Sequence, residues 1–400
     1  MQLSYDEQIA LFRRRSERVI SESELRAKLV RSNETGKPLR IKFGMDPTAP
    51  DLHLGHCVPL KVIRQFQDLG HKAVLIIGDY TARVGDPTGR NATRPPLTGE
   101  QIDANAKTYA AQIHKILKMD SDSLEIRYNS EWLGKMGLVE IIKLASRKSV
   151  AQVLAREDFA KRYAEGIDIR LHEILYPLLQ GWDSVAVDAD LEMGGSDQLF
   201  NNLVGREFQK EEGGEGQCVL VTPLLVGTDG VAKMSKSKNN YIAVTDPAGG
   251  GGGMFGKIMS IPDSQLEIYY TMLTDLPVDE IKTAIDSPRD AKVRLAKIII
   301  TWLHDAAAAD QAEKDFITAT HGGVPSDIPS LPVAAGPQSV VGLLVAAKIC
   351  PTNSEAIRKI REGAVKLDGE KVADTKAAVE VTADRVLQMG SRRFVRLTPA

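Results

Sequence analysis

Four hundred residues, 43% of them hydrophobic, are enough chain for two or three packed domains. The formal net charge of −2 excludes bulk attraction to nucleic acid, so any such contact must come from local basic patches. Cys57, Cys218 and Cys350 share no metal-ligand spacing and form no obvious disulfide set, no apolar run reaches the length of a membrane span, and the charged start around Arg13, Arg14 and Arg15 does not read as a signal peptide. The simple reading is a cytoplasmic chain in a reducing compartment, with no protein-built metal site and no membrane partner.

Residues 1–38 read as amphipathic helix, with Ile9, Leu11, Phe12, Val19, Ile20, Leu25 and Leu29 as its apolar positions. A short strand at 39–43 stops at Gly44, Asp46 and Pro47. A helix over 58–69 follows, with Val58, Leu60, Val62, Ile63, Phe66 and Leu69 at helical spacing. His53 and His56 thus fall where a strand hands over to a helix N-terminus. That junction has free backbone N–H groups and the positive end of a dipole. Two imidazoles there can donate to phosphate or ribose oxygens, and Gly55 lets a flat group approach the backbone.

A buried strand at 73–77 leads to a Gly, Pro and Asp turn cluster over 84–90 and a polar loop to residue 100. A helix over 101–119, a strand over 124–128 and the turn 129–132 come next. This alternation predicts an α/β domain: a parallel sheet with helices on both faces, its ligand cleft beyond the carboxyl ends of the strands. The polar turns at 44–56, 79–90 and 129–132 would then converge on one cleft.

On the apolar helix over 171–183, Tyr176, Gln180 and Asp183 recur at i, i+4 and i+7, one polar stripe that needs partners. At 191–198 a strand end runs into Gly194 and Gly195, then Asp197 and Gln198 at a helix start. The acid there can accept from ribose hydroxyls. After a strand over 218–225 and a turn at 227–230 comes Lys233-Met-Ser-Lys-Ser237. Two lysines with interleaved hydroxyls suit a loop that closes over polyphosphate, because a lysine is a point charge that follows a moving phosphate.

Five consecutive glycines, 249–253, cannot pack and should form a flexible connection. Residues 263–320 are helical by pattern, and 321–338 carry four prolines as a linker. In 339–400, a helix at 340–347 precedes a second at 353–361 bearing Arg358, Lys359 and Arg361. A strand and turn (363–369) and a basic final strand (392–396) follow, a pattern suited to phosphate contacts on structured RNA.

The motifs Gly44-Met-Asp-Pro-Thr-Ala49, His53-Leu-Gly-His56, Gly85-Asp-Pro-Thr-Gly89, Tyr176-x-x-x-Gln180-x-x-Asp183, Gly194-Gly-Ser-Asp-Gln198 and Lys233-Met-Ser-Lys-Ser237 stand in a telling order. Over almost its whole length the chain resembles the bacterial tyrosyl-tRNA synthetases, a class I aminoacyl-tRNA synthetase family. The resemblance implies a Rossmann-like catalytic domain at 1–247, a helical anticodon-side domain at 248–320, the linker at 321–338 and an αL-type RNA-binding module at 339–400. It implies activation of L-tyrosine by ATP with Mg2+, without a tightly bound cofactor, then transfer to tRNA(Tyr), in a homodimer. The tyrosine carboxylate attacks the α-phosphorus as a ready nucleophile, so no side-chain base is needed.

By the same resemblance, Asp86, Tyr176 and Gln180 hold the substrate's α-amino group. Asp183 accepts from the phenolic hydroxyl, with Asn129 and Gln198 as neighbours. Thr48 and His53 meet the γ-phosphate, while His56 and the 194–197 turn hold ribose and adenosine. Lys233 and Lys236 stabilise departing pyrophosphate, and Gly44, Asp46, Gly55, Met234, Ser235 and Ser237 complete the ATP site. Arg90 and Arg94 match basic positions near the pyrophosphate and acceptor stem. Two departures stand out: Lys42 falls where many relatives place a tyrosine that touches the substrate hydroxyl, and Phe43 where some place a cysteine near the ribose. The rivals are tryptophanyl-tRNA synthetase or a small nucleotidylyltransferase, against which Asp183 and the RNA module speak, and a non-catalytic RNA-binding protein, against which the two histidines and two lysines speak.

Overall fold

The computed structural model describes residues 3–85, 98–250, 252–320, 323–324, 328–390 and 393–400. Asp86, Arg90 and Arg94 lie outside the described residues, as do Gly251 and Arg392. The chain divides into two units: 1–226, 233–239 and 271–273 form the first, and 227–232, 240–270 and 274–400 the second.

The first unit is built on six strands, β1 (Arg18–Ile20), β2 (Arg40–Met45), β3 (Lys72–Ile77), β4 (Leu124–Tyr128), β5 (Leu191–Gly195) and β6 (Cys218–Thr222), in the order β1-β6-β5-β2-β3-β4. All neighbours pair in parallel except β1 with β6. Strands β3 and β6 are near-continuous apolar runs, as a sheet covered on both faces demands. The strand order reverses between β2 and β5, and a crevice opens beyond their carboxyl ends at such a point. The Leu54–Asp68 helix leaves β2 there, and the helices Leu171–Ala186 and Leu199–Glu211 pack against each other beside β5.

Three local readings need correction. The N-terminal segment is two helices, Tyr5–Arg13 and Glu22–Thr35, separated by β1. Ser4 and Ser21 cap them by accepting from the N–H groups of Glu7 and Glu24. The helix after β2 starts at Leu54, four residues before the apolar pattern suggests, because Gly55 and Pro59 weaken its first turns as a sequence signal. The helix expected over 101–119 is Gly99–Ile113; Ile116 and Leu117 are buried from the turns that follow it.

In the second unit the helices Met254–Met259, Val278–Ala284, Pro288–Leu303 and Ala306–Thr320 precede the C-terminal strands. The expectation that the glycine run cannot pack is overturned at its described residues. The N–H groups of Met254 and Phe255 donate to the Pro247 and Ala248 carbonyls at 2.8 and 3.0 Å. A Cβ on Gly253 would sit 2.0 Å from the Gly249 carbonyl oxygen, so the missing side chain is what lets this turn close. Strands β7 (Ser330–Val333), β8 (Gln338–Ser339), β9 (Val365–Leu367), β10 (Glu370–Lys371), β11 (Ala378–Val379), β12 (Arg385–Met389) and β13 (Arg393–Pro399) then form a sheet of order β10-β9-β12-β13-β7 and a β8–β11 ribbon. Leu344 and Ile360, from the helices Val340–Ala346 and Asn353–Arg361, meet Val365, Leu387 and Leu397 in one core. No helix among the described residues is long and apolar enough to cross a membrane.

Candidate active site

A cavity of about 390 Å³ lies at the carboxyl edge of the first unit's sheet. Gly44, Asp46, Thr48, His53, Gly55 and His56 line it from the segment that joins β2 to its helix. Tyr176, Gln180 and Asp183 line it from the Leu171–Ala186 helix, and Gly194, Gly195, Asp197 and Gln198 from the end of β5. Lys233, Met234, Ser235, Lys236 and Ser237 complete the wall. Residues spread over almost two hundred positions thus face one space; of the three turns expected to converge there, 44–56 lines it, 79–90 contributes Thr81 from its described part, and 129–132 stays off the wall.

His53 is the N-cap residue of the Leu54–Asp68 helix, and its ring meets that of His56 at 3.9 Å between centroids. The backbone N–H of His53 donates to Nδ1 of His56 at 3.2 Å. That bond assigns the ring proton of neutral His56 to Nε2, which can donate. Desolvation pushes His53 down to about 2, helped by His56, Lys236 and Lys233; it pushes His56 down to about 4, helped by Lys236. Both rings are therefore neutral hydrogen-bonding groups at physiological pH. A Cβ on Gly55 would sit 3.0 Å from the His53 ring, so a side chain there would press that ring out of its tilted contact with His56.

The lysine loop is docked by the Met234 N–H, which donates to the Leu225 carbonyl at 2.7 Å. Lys233 Nζ pairs with Asp197 at 2.8 Å, and Lys236 Nζ approaches Asp51 at 3.8 Å. Both lysines line the cavity, Lys233 beside the carboxylate expected to hold a ribose and Lys236 beside Asp51. Asp51 lines the cavity as well and went unnoticed in the sequence, where one acid in a loop carries no signal.

Deeper in, Asp183 is 3% exposed. Its Oδ1 accepts from Trp132 Nε1 at 2.8 Å and its Oδ2 from Asn129 Nδ2 at 3.4 Å. Burial drives its carboxyl up to about 7, against the opposing pull of Lys42 and the two donors. Tyr176 donates its hydroxyl to Asp46 at 3.0 Å, and Thr81 donates to the other oxygen of Asp46 at 2.7 Å. The Gln180 Oε1 accepts from Asn201 Nδ2 at 2.8 Å. Asn129 stands behind the wall: its amide nitrogen also donates to Thr81, and its oxygen accepts from the Tyr80 N–H. The polar stripe on the helix has partners at each position, with acceptor capacity left on the Asp183 carboxylate for a ligand.

This geometry has counterparts among known proteins. A family model described as tRNA synthetases class I (W and Y) matches residues 34–320, and one described as the tyrosine–tRNA ligase SYY-like C-terminal domain matches 321–388. A tyrosine–tRNA ligase of Burkholderia lata is 52% identical over 396 residues, 98% of this chain and 94% of that one. One of Ralstonia nicotianae is 51% identical over 381 residues, covering 94% and 96%. The chain belongs to the tyrosine–tRNA ligase family of class I tRNA synthetases.

Solved tyrosyl-tRNA synthetases share the fold. A C-terminally truncated mitochondrial enzyme of Coccidioides posadasii superposes with a TM-score of 0.61 at 25% identity, over 78% of this chain and 91% of that one. The synthetase of Archaeoglobus fulgidus complexed with L-tyrosine gives 0.62 at 24%, over 76% and 99%. In this synthetase the second unit carries Arg358, Lys359 and Arg361 on one short helix. Arg358 pairs with Glu355 and Glu362, and Lys359 with Glu362, while Arg361 is exposed. The basic cluster read from the sequence is thus largely matched by carboxylates one turn away. Trp132 and Thr81, which hold Asp183 and Asp46, were legible only as turn residues.

Proposed function

We propose that this cleft activates L-tyrosine with ATP and then passes the tyrosyl group to the terminal ribose of tRNA(Tyr). The observation that carries the reading is the single cavity shared by His53 and His56, Lys233 and Lys236, and Tyr176, Gln180 and Asp183. Asp183 accepts from the substrate phenol. Tyr176 and Gln180, with Asp86, hold the amino group near Asp46, whose negative charge favours an ammonium. His56 donates through Nε2 to a ribose or phosphate oxygen, and Thr48 and His53 meet the terminal phosphate. Asp197 and the backbone at Gly194 and Gly195 take the ribose, which requires Lys233 to leave Asp197 and turn to the polyphosphate. Gly44, Asp46, Gly55, Met234, Ser235 and Ser237 shape the nucleotide's surroundings.

The nucleophile is the tyrosine carboxylate, already ionised, so the protein's task is positioning and stabilisation of charge on the leaving pyrophosphate. Two neutral imidazoles add donors without adding charge; the lysines supply the charge. No cluster of three or more His, Cys, Asp or Glu able to hold a metal occurs among the described residues. Mg2+ accompanying ATP would be held by the phosphates with one or two carboxylates, and it would offset the phosphates' charge.

The proposal extends to assembly and to RNA. Large exposed apolar side chains concentrate at Leu138, Val139, Ile142, Val150, Tyr163 and Leu171, with Leu138 at 75% and Leu171 at 81% exposure. Such a concentration favours a homodimer interface in the first unit. Arg358, Lys359 and Arg361 are the proposed RNA contacts of the second, and the enzyme works in the cytoplasm. Rapid-quench measurement of tyrosyl-adenylate from labelled ATP, without tRNA, tests the chemical roles. Lys233→Met and Lys236→Met should each slow adenylate formation by about 10²-fold or more while tyrosine still binds. An unchanged rate would remove the loop from the reaction.

A further inference from the structure

A buried charge network behind the cavity has no part in the chemistry described so far. Lys42 on β2 is fully buried, and Glu192 on β5 is 1% exposed. Lys42 Nζ donates to Glu192 Oε1 at 2.8 Å, to Ser184 Oγ at 2.7 Å and to the Gln180 backbone carbonyl at 3.0 Å. An ammonium has three N–H donors, and all three are used. Lys42 is also missing from the cavity wall, although its neighbours Phe43 and Gly44 line it. A substrate hydroxyl in the cavity therefore finds no donor on Lys42.

Glu192 is equally engaged. Its Oε2 accepts from Ser184 Oγ at 3.0 Å and from Gln217 Nε2, and its Oε1 lies 3.4 Å from Gln180 Nε2. Lysine, serine and glutamate so close a triangle that joins β2, β5 and the Leu171–Ala186 helix. Two of its anchor points, Gln180 and Ser184, flank Asp183 on that helix.

We propose that Lys42 is a positioning residue that sets amino-acid specificity without touching the substrate: it locks the helix that presents Tyr176, Gln180 and Asp183, and it places a positive charge behind the Asp183 carboxylate. The inference rests on the reading of Asp183 as the acceptor for the substrate hydroxyl. That role needs an ionised carboxylate, and burial opposes ionisation. Lys42 is the cation acting on Asp183, and Glu192 acts in the opposite sense. Arg127 lies 5.4 Å from the Trp132 ring centroid and pairs with Glu125 and Glu131, and Asp79 is engaged by the Ser130 N–H. Tyr176 on the same helix is spent on Asp46. Burial sets most of the pH at which the pocket can read a hydroxyl, and Lys42 and Glu192 move it in opposite directions.

The test is the pH dependence of kcat/KM for tyrosine in pyrophosphate exchange, between about pH 5.5 and 9. Wild type should show an inflection near Asp183's value of about 7, with kcat/KM falling on the acid side. Lys42→Met would leave Glu192 buried and unpaired, so the informative variant is Lys42→Met with Glu192→Gln, which removes both charges. It should move the inflection up by at least about half a pH unit and raise KM for tyrosine more than it lowers kcat. Glu192→Gln alone keeps the cation and should move the inflection down. Opposite shifts are a signature that loss of packing cannot produce. Superimposable profiles for all three proteins would overturn the proposal while the wild-type exchange still upheld tyrosine activation. Absence of tyrosine-dependent exchange in wild type would instead sink the functional reading beneath it.

Discussion

Asp183 concentrates the conflict between stability and function in one side chain. Its folded value of about 7 lies above the ordinary 3.8, so the stability tied to its protonation is full below 3.8 and is lost as pH rises through 7. Asp183→Asn should therefore stabilise the ligand-free enzyme by about 1–2 kcal/mol at pH 8, with little gain near pH 4. The same change removes the charged acceptor, and selection of tyrosine over phenylalanine should collapse; thermal melts and exchange kinetics read the two effects. The histidines act with the opposite sign. His53, His56 and His71 are held neutral at about 2, 4 and 4 against 6.5, mainly by burial. The unfolded chain takes up protons below 6.5 that the fold refuses, so stability is full above 6.5 and declines as pH falls toward about 4. Denaturant titrations should show a loss approaching about 1.4 kcal/mol per pH unit per histidine in that window.

Elements carry the next lesson. The parallel strands were legible because β3 and β6 are near-continuous apolar runs, and the Leu171–Ala186 helix because its polar stripe is so regular. The N-terminal break was not: Ser21 and Glu24 signal a cap, but Val19 and Ile20 fit a continuous amphipathic pattern equally well until β6 is there to pair with them. The glycine run misled for a different reason. Composition reports the freedom of an isolated chain, whereas the packed turn at Gly253 depends on which atoms surround it. Gly253→Ala should destabilise the protein by about 1–3 kcal/mol, measurable as a lower denaturation midpoint with an unchanged slope. With Asp197 in its proposed role, the Lys233–Asp197 pair is caught between two tasks, since the loop must release the acid before a ribose can use it. Asp197→Asn should lower kcat/KM for ATP by about 10- to 100-fold, the worth of a hydrogen bond to a charged group.

At the scale of the whole molecule, the proposed roles place the chemistry in the first unit and the RNA contacts of Arg358, Lys359 and Arg361 in the second. The site was readable in sequence because its residues sit in short motifs whose order is preserved along the chain. Lys42 stood out as a departure, but its pairing with Glu192 was not readable, because nothing in a sequence pairs a lysine on one strand with an acid 150 positions later. Ile142→Asp places a charge among the exposed apolar residues and should shift the enzyme toward monomer in light scattering. Replacing Arg358, Lys359 and Arg361 by alanine should weaken tRNA binding and flatten its salt dependence by about one unit of slope per lost phosphate contact. The most direct test of the central claim is exchange of labelled pyrophosphate into ATP, with tyrosine, phenylalanine and tryptophan compared in wild type and Asp183→Asn. Exchange driven by tyrosine alone, with that preference lost in the variant, is the predicted result. Exchange driven by tryptophan, or a preference for tyrosine that survives the loss of Asp183, would contradict it.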